Sequence, residues 1–150
     1  MAKAEPRYII PSRKYFSTSL IPDMHKAIQS KVRDLVSAQS DLSLTSDAWS
    51  EPSIGVSLLS LTAHWLTKDF RRKQVILAAT PLDESHTGDY LASKLDKLFD
   101  EYNIPRTRIH QLLHDGGANM VKALRLAEID SISCFAQTLQ LVVSDGILLQ

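Results

Sequence analysis

The chain has 150 residues, with 44% hydrophobic and 23% charged side chains, which suits one domain burying about 68–70% of its unfolded surface without a disulfide staple. Lys+Arg and Asp+Glu number 17 each, so there is no global basic field to draw the chain onto DNA, and any nucleic-acid affinity must be local. A single cysteine, Cys134, excludes an internal disulfide and a CxxC zinc site, and no run approaches the ~20 apolar residues of a spanning helix.

The opening MAKAEPRYIIPSRKYF carries charges but no long apolar core, so it does not read as a signal peptide. Pro6, Pro11 and Pro22 punctuate residues 1–22 and predict an extended arm with one short turn. Met24, Ala27, Ile28, Val32, Leu35 and Val36 then recur at helical spacing and predict an amphipathic helix over 23–38. The arm and this helix form one expected unit, 1–40, and residues 41–150 form the other.

Strand signals follow. LSLTSDAW is short and partly apolar, SIGVSLLSLTAHWLT is apolar enough to suit a strand buried on both faces, and RKQVILAATPL is closed by Pro81. HTGDYLASKLDKLFDEYN predicts a helix with Thr87 as its N-cap, stopped by Asn103 and Pro105. RIHQLLHDGG predicts a fourth strand, ANMVKALRLAE a helix and SISCFAQ a fifth strand. TLQLVVSDGILLQ predicts an apolar final helix without a stop signal. Three consecutive strands predict a meander, and strands separated by helices predict parallel additions, giving a mixed five-stranded α/β sheet flanked by helices.

Several motifs carry a resemblance along almost the whole chain: PSRKYFSTSLIPDMHKAIQSKV, LSLTSDAWS, SLTAHWLTKDF, ESHTGDYLASKLDKLFDEYNI, HDGGANMVKAL and CFAQTLQLVVSDGIL. In this order the chain resembles the nuclease core of hAT-superfamily transposases, and more narrowly the domesticated BED-type zinc finger (ZBED) proteins of vertebrates. The resemblance implies an RNase H-like fold, truncated here at the C-terminus. It also implies that Asp47 and Asp115 occupy the first two acidic positions of a D-D-E site, where carboxylates suit a hard cation such as Mg²⁺ or Mn²⁺.

Beside this stands a plainer reading, in which Asp115-Gly116 is a turn signature and Asp115 caps the next helix. The family's third acidic residue is expected beyond position 150. Its D-N-x-x-N-M motif appears with Gly116 in place of the first asparagine, while Asn119 is retained. Its C-x-A-H motif appears with Cys134 retained and Gln137 in place of histidine, which removes a group that titrates near neutral pH. The chain is therefore expected to be a non-catalytic, transposon-derived nuclear protein linked to DNA binding or transcription, with its BED finger and dimerising segment outside this sequence. The alternatives are a fragment of an active transposase and an interaction scaffold without DNA binding, and the cytoplasm is the alternative location.

No cofactor is required on this reading, no zinc site is expected and no membrane contact is expected. DNA would be met through regions outside the chain, and protein contact or self-association through the apolar final helix. His64 and Trp65 read as structural, and Cys134 as a small buried hydrophobe. His110 and His114 share a strand face but stand too far apart for one ion. Arg71, Arg72 and Lys73 read as a solvated strand end, with a phosphate contact as the alternative.

Overall fold

A computed structural model describes residues 10–53 and 55–146. The strands are β1 (Leu42–Glu51), β2 (Val56–Leu66), β3 (Arg72–Pro81), β4 (Ile109–His114) and β5 (Ser131–Ser133). The helices are α1 (Arg13–Tyr15), α2 (Ile21–Ser37), α3 (Gly88–Glu101), α4 (Ala118–Leu126) and α5 (Phe135–Gly146). The five strands form one sheet in the order β3-β2-β1-β4-β5. β1 to β3 are an antiparallel meander, and β4 and β5 add in parallel beside β1. This is the α/β architecture expected from the order of the elements, with flanking helices and the first and fourth strands as neighbours.

One face of the sheet is the core. Leu42, Leu44 and Ser46 of β1, Leu59, Leu61 and Ala63 of β2, and Leu112 and His114 of β4 are all buried. The alternation follows from the two-residue period of a strand. Leu91, Leu95, Leu98 and Phe99 of α3 and Met120, Ala123 and Leu124 of α4 complete that core. Both crossovers step the same way along the sheet, so right-handed connections place α3 and α4 on the same face, and the two helices touch. The buried Tyr102 hydroxyl donates to the Leu77 carbonyl at 2.5 Å and ties the end of α3 to β3.

The expectation that β2 is buried on both faces is corrected. Leu58, Ser60, Thr62 and His64 are only half-buried, while Leu59, Leu61 and Ala63 between them are buried. The serine, threonine and histidine positions already alternate in the sequence; the density of leucines hides that period.

α3 and α4 end alike. Asn103 and Glu128 both take positive φ, 51° and 55°. Ile104 N–H donates to Phe99 O at 2.9 Å and Ile129 N–H to Leu124 O at 3.0 Å, so each helix closes with a left-handed residue followed by a buried isoleucine. At the start of α3, Thr87 is the N-cap and its hydroxyl accepts from Tyr90 N–H.

The expected extended arm is also corrected over its described part. Ser12 caps a helical start, its hydroxyl accepting from Tyr15 N–H at 3.2 Å, and the helix continues through a π-helical stretch, Phe16–Leu20, into α2. Pro22 lacks the donor for an ordinary i→i−4 bond, and the wider i→i+5 turn just before it accommodates the break. Pro6 lies outside the described residues. The chain divides into two compact units between Asp34 and Leu35, inside α2.

The fifth strand stops at Ser133, short of the expected 131–137, because Cys134 O accepts from both Thr138 N–H and its hydroxyl and opens α5. Phe135, Leu139 and Val142 lie along one exposed side of α5. Residues 147–150 of the expected final helix lie outside the described residues. No helix among the described residues is long and apolar enough to cross a membrane.

Candidate functional site at the carboxyl end of β1 and β4

Asp47 lies on β1 opposite Ser60 of β2, and its side chain is exposed on the sheet face away from α3 and α4. Parallel pairing of β1 with β4 runs through Leu44–Leu112 to Thr45–Leu113. Carried two residues further, that register sets Asp47 level with Asp115 on adjacent strands and the same face. The two aspartates, 68 residues apart in sequence, are thus brought to one end of the sheet by the parallel β1–β4 pairing.

Asp115 is half-buried, and one of its oxygens is already in use. Oδ1 accepts from Gly117 N–H at 3.0 Å, an Asx turn that launches the loop into α4. Behind it, buried His114 accepts from Gly116 N–H through Nδ1 at 2.9 Å, which leaves Nε2 carrying the proton of the neutral ring. Burial pushes the His114 pKa down, and Asp115 beside it pulls the other way.

Gly116 has φ 79°, and an added Cβ would meet nothing closer than the Ser133 hydroxyl at 3.5 Å. Its requirement is conformational rather than steric. Asparagine also tolerates the left-handed region, so glycine in place of the family's asparagine keeps the backbone and removes only the amide side chain.

Gln137, in the first turn of α5, lines a shallow groove of about 370 Å³ with Asp115, Gly116 and Gly117. The structure therefore gathers Asp115, Gly116 and Gln137 around one groove. Asn119 is exposed in the first turn of α4. Cys134 is half-buried and free, and its N–H donates to His114 O at 2.7 Å.

The resemblance to a nuclease core implies a two-metal centre at this point. Among the described residues no group of three or more His, Cys, Asp or Glu side chains converges as a metal site. Two carboxylates, one with an oxygen accepting from Gly117 N–H, can meet one hard cation but are fewer ligands than a two-metal centre draws on.

His110 and His114 do not share a face, which corrects the expectation. A bulge between Leu42 and Ser43 skips His110 in the pairing, so His110 is exposed while His114 is buried.

Sequence reasoning missed a second feature. The sheet face away from α3 and α4 holds an open trough of about 780 Å³, lined by Thr45, His64, Arg72, His110, Gln111 and Leu113 among others. Thr45 Oγ1 and His64 Nε2 share a hydrogen bond at 3.1 Å. Burial first, and Arg72 second, lower the pKa of His64 from its ordinary 6.5. The folded chain thus favours the neutral ring, so its stabilising contribution is whole above pH 6.5 and is lost as the pH falls through the folded value. Thermal melts should show a smaller loss of stability between neutral and mildly acid pH for His64→Gln than for the parent; an unchanged pH dependence would contradict this.

The fold is that of an RNase-like α/β domain of the type carried by hAT-derived proteins. The family model of the ZBED1 RNase-like domain matches residues 45–134, and the chain belongs to that family. It is 27% identical over 139 residues to the "Putative transcriptional regulator tpeD" of Talaromyces stipitatus, covering 84% of this chain and 16% of that protein. It is 25% identical over 153 residues to human Zinc finger BED domain-containing protein 4, covering 95% of this chain and 13% of that protein. Human Zinc finger BED domain-containing protein 6 is 26% identical over 156 residues, covering 93% of this chain and 16% of its own length. The chain thus spans only 13–16% of the length of these relatives.

Proposed function

We propose that the chain is the RNase-like core of a transposon-derived transcriptional regulator that acts in the nucleus and does not cut DNA. The observation that carries this is the groove at Asp115. The family match takes in both aspartates, yet the groove offers Gln137, an uncharged amide, where a catalytic centre needs further titratable or metal-binding groups. The names of two relatives support the regulatory part: one is called a transcriptional regulator and another a BED-type zinc finger protein. DNA targeting in the whole protein belongs on this reading to a BED finger outside the chain.

The test is a tethered reporter. The chain is fused to an unrelated DNA-binding domain and brought to a promoter carrying its site. Altered transcription relative to the DNA-binding domain alone supports the proposal, and an unchanged signal counts against it.

The two aspartates retain one expected property. Two carboxylates held near each other repel, so a divalent cation between them is favoured. Isothermal titration should detect weak Mn²⁺ binding that is lost in Asp47→Ala and in Asp115→Ala alike; binding that survives either change would place the cation elsewhere.

A further inference from the structure

The tip of the β2–β3 hairpin carries a residue that neither local backbone preference nor packing explains. Thr67, Lys68, Asp69 and Phe70 form a tight turn, closed by Phe70 N–H to Thr67 O at 2.9 Å and Thr67 N–H to Arg71 O at 3.0 Å. Phe70 takes φ 56°, the left-handed position where such a turn ordinarily places glycine or asparagine. A bulky aromatic residue there is a conformational outlier. Packing does not compensate for it, since the residue is 85% exposed, more than any other large apolar residue among the described ones.

The surroundings of the ring are basic in a chain of zero net charge. Lys68, Arg71, Arg72 and Lys73 stand against one carboxylate, Asp69, and Asp69 is taken by Arg71 at 2.7 Å. Lys68, Arg72 and Lys73 have no ion-pair partner among the described residues. Arg72, two residues from Phe70, lines the open trough together with His64, His110 and Gln111, all able to hydrogen-bond.

We propose that this hairpin tip and trough bind single-stranded nucleic acid, with an unpaired base stacked on Phe70 and phosphates on Lys68 and Arg72. A ring projecting from a hairpin tip can stack only on a base whose face is open, which a paired duplex does not offer along its length. Flanking cations and an aromatic platform are the two parts that such binding needs. A lipid surface fits less well. The Thr67 hydroxyl is the main group holding the Asp69 carboxyl below its usual range, so a charged carboxylate sits next to the ring that would have to enter the bilayer. This contact goes beyond the reading above, which assigns DNA targeting to regions outside the chain, and it can fail while the regulatory reading stands.

The test uses fluorescence anisotropy with the whole chain and labelled single strands of about 15 nucleotides, as DNA and as RNA of the same sequence, long enough for a site of this kind. A paired duplex and phosphatidylcholine vesicles containing phosphatidylserine are run beside them. Binding to single strands is expected in preference to duplex, with log K falling against log salt with a slope of about −1.4 for the two cations on phosphates. Lys68→Gln with Arg72→Gln should flatten that slope. Phe70→Gly suits the left-handed backbone and should raise the melting temperature, yet weaken binding by about 5- to 100-fold, as loss of base stacking does. Phe70→Tyr should bind like the parent. Undiminished binding by Phe70→Gly, an unchanged slope in the double variant, preference for duplex, or binding to vesicles without binding to single strands would each overturn the proposal. The DNA and RNA arms show which sugar the site prefers.

Discussion

Phe99→Ala is expected to destabilise the chain by about 3–5 kcal/mol, read as a lower denaturant midpoint at unchanged slope. Phe99 is 1% exposed and among the largest fully buried side chains, set between α3 and the buried face of the sheet. Its removal takes away both the transfer energy of the ring and the contacts of everything that packs on it. Its carbonyl also accepts the Ile104 N–H that closes α3, so the cavity opens beside the helix terminus. Typical domains are stable by only about 5–15 kcal/mol, so this one change should remove about a fifth or more of the total. Leu126→Ala, at a position 49% exposed on α4, should move stability by no more than about 0.5 kcal/mol. Equal effects at the two positions would contradict the assignment of the core face.

Arg108→Ala is the second large effect, expected at about 1.5–3 kcal/mol, the range for hydrogen bonds to a charged group. The guanidinium fans out over backbone carbonyls at the end of α2 and the start of β1. Nη2 donates to Val36 O at 2.6 Å and to Gln39 O, and Nε donates to Ser40 O at 3.4 Å. Carbonyls at a helix C-terminus have no intrahelical donors, and a cation there also meets the negative end of the helix dipole. Lysine supplies a point charge but not the fork, so Arg108→Lys should recover only part of the loss. Full recovery by lysine would show that charge alone matters. Hydrogen exchange at Ser40 to Ser43 should rise in Arg108→Ala before any global change.

Arg108 also shows what the sequence does not display. It stands 72 residues from Val36, and nothing local marks it as the cap of a distant helix. Elements whose signals are local were readable. Thr87 announces α3, Pro81 closes β3, and helices between strands dictate the parallel additions of β4 and β5. The juxtaposition of Asp47 and Asp115 follows from that topology once the resemblance supplies it. Features set by competition between neighbours were not readable. The prolines argued against helix at residues 13–22, but Ser12 supplied a cap and a π-helical stretch absorbed Pro22. A bulge in β1–β4 pairing moved His110 off the face it would share with His114. The left-handed backbone at Phe70 has no signature in a phenylalanine, since that conformation is the one its side chain disfavours.

Around Asp115 the chain keeps the end of an RNase-like sheet. The carboxylate builds a turn, Gly116 supplies the left-handed step, and Gln137 faces them across the groove. The direct measurement is a strand-cleavage assay with the purified chain on labelled nicked and hairpin DNA in Mg²⁺ and in Mn²⁺, beside an Asp47→Ala, Asp115→Ala double variant. A regulator that has retained the fold without the chemistry yields no product above the double variant in either metal. Cleavage by the parent that disappears in the double variant would contradict it and restore a working nuclease.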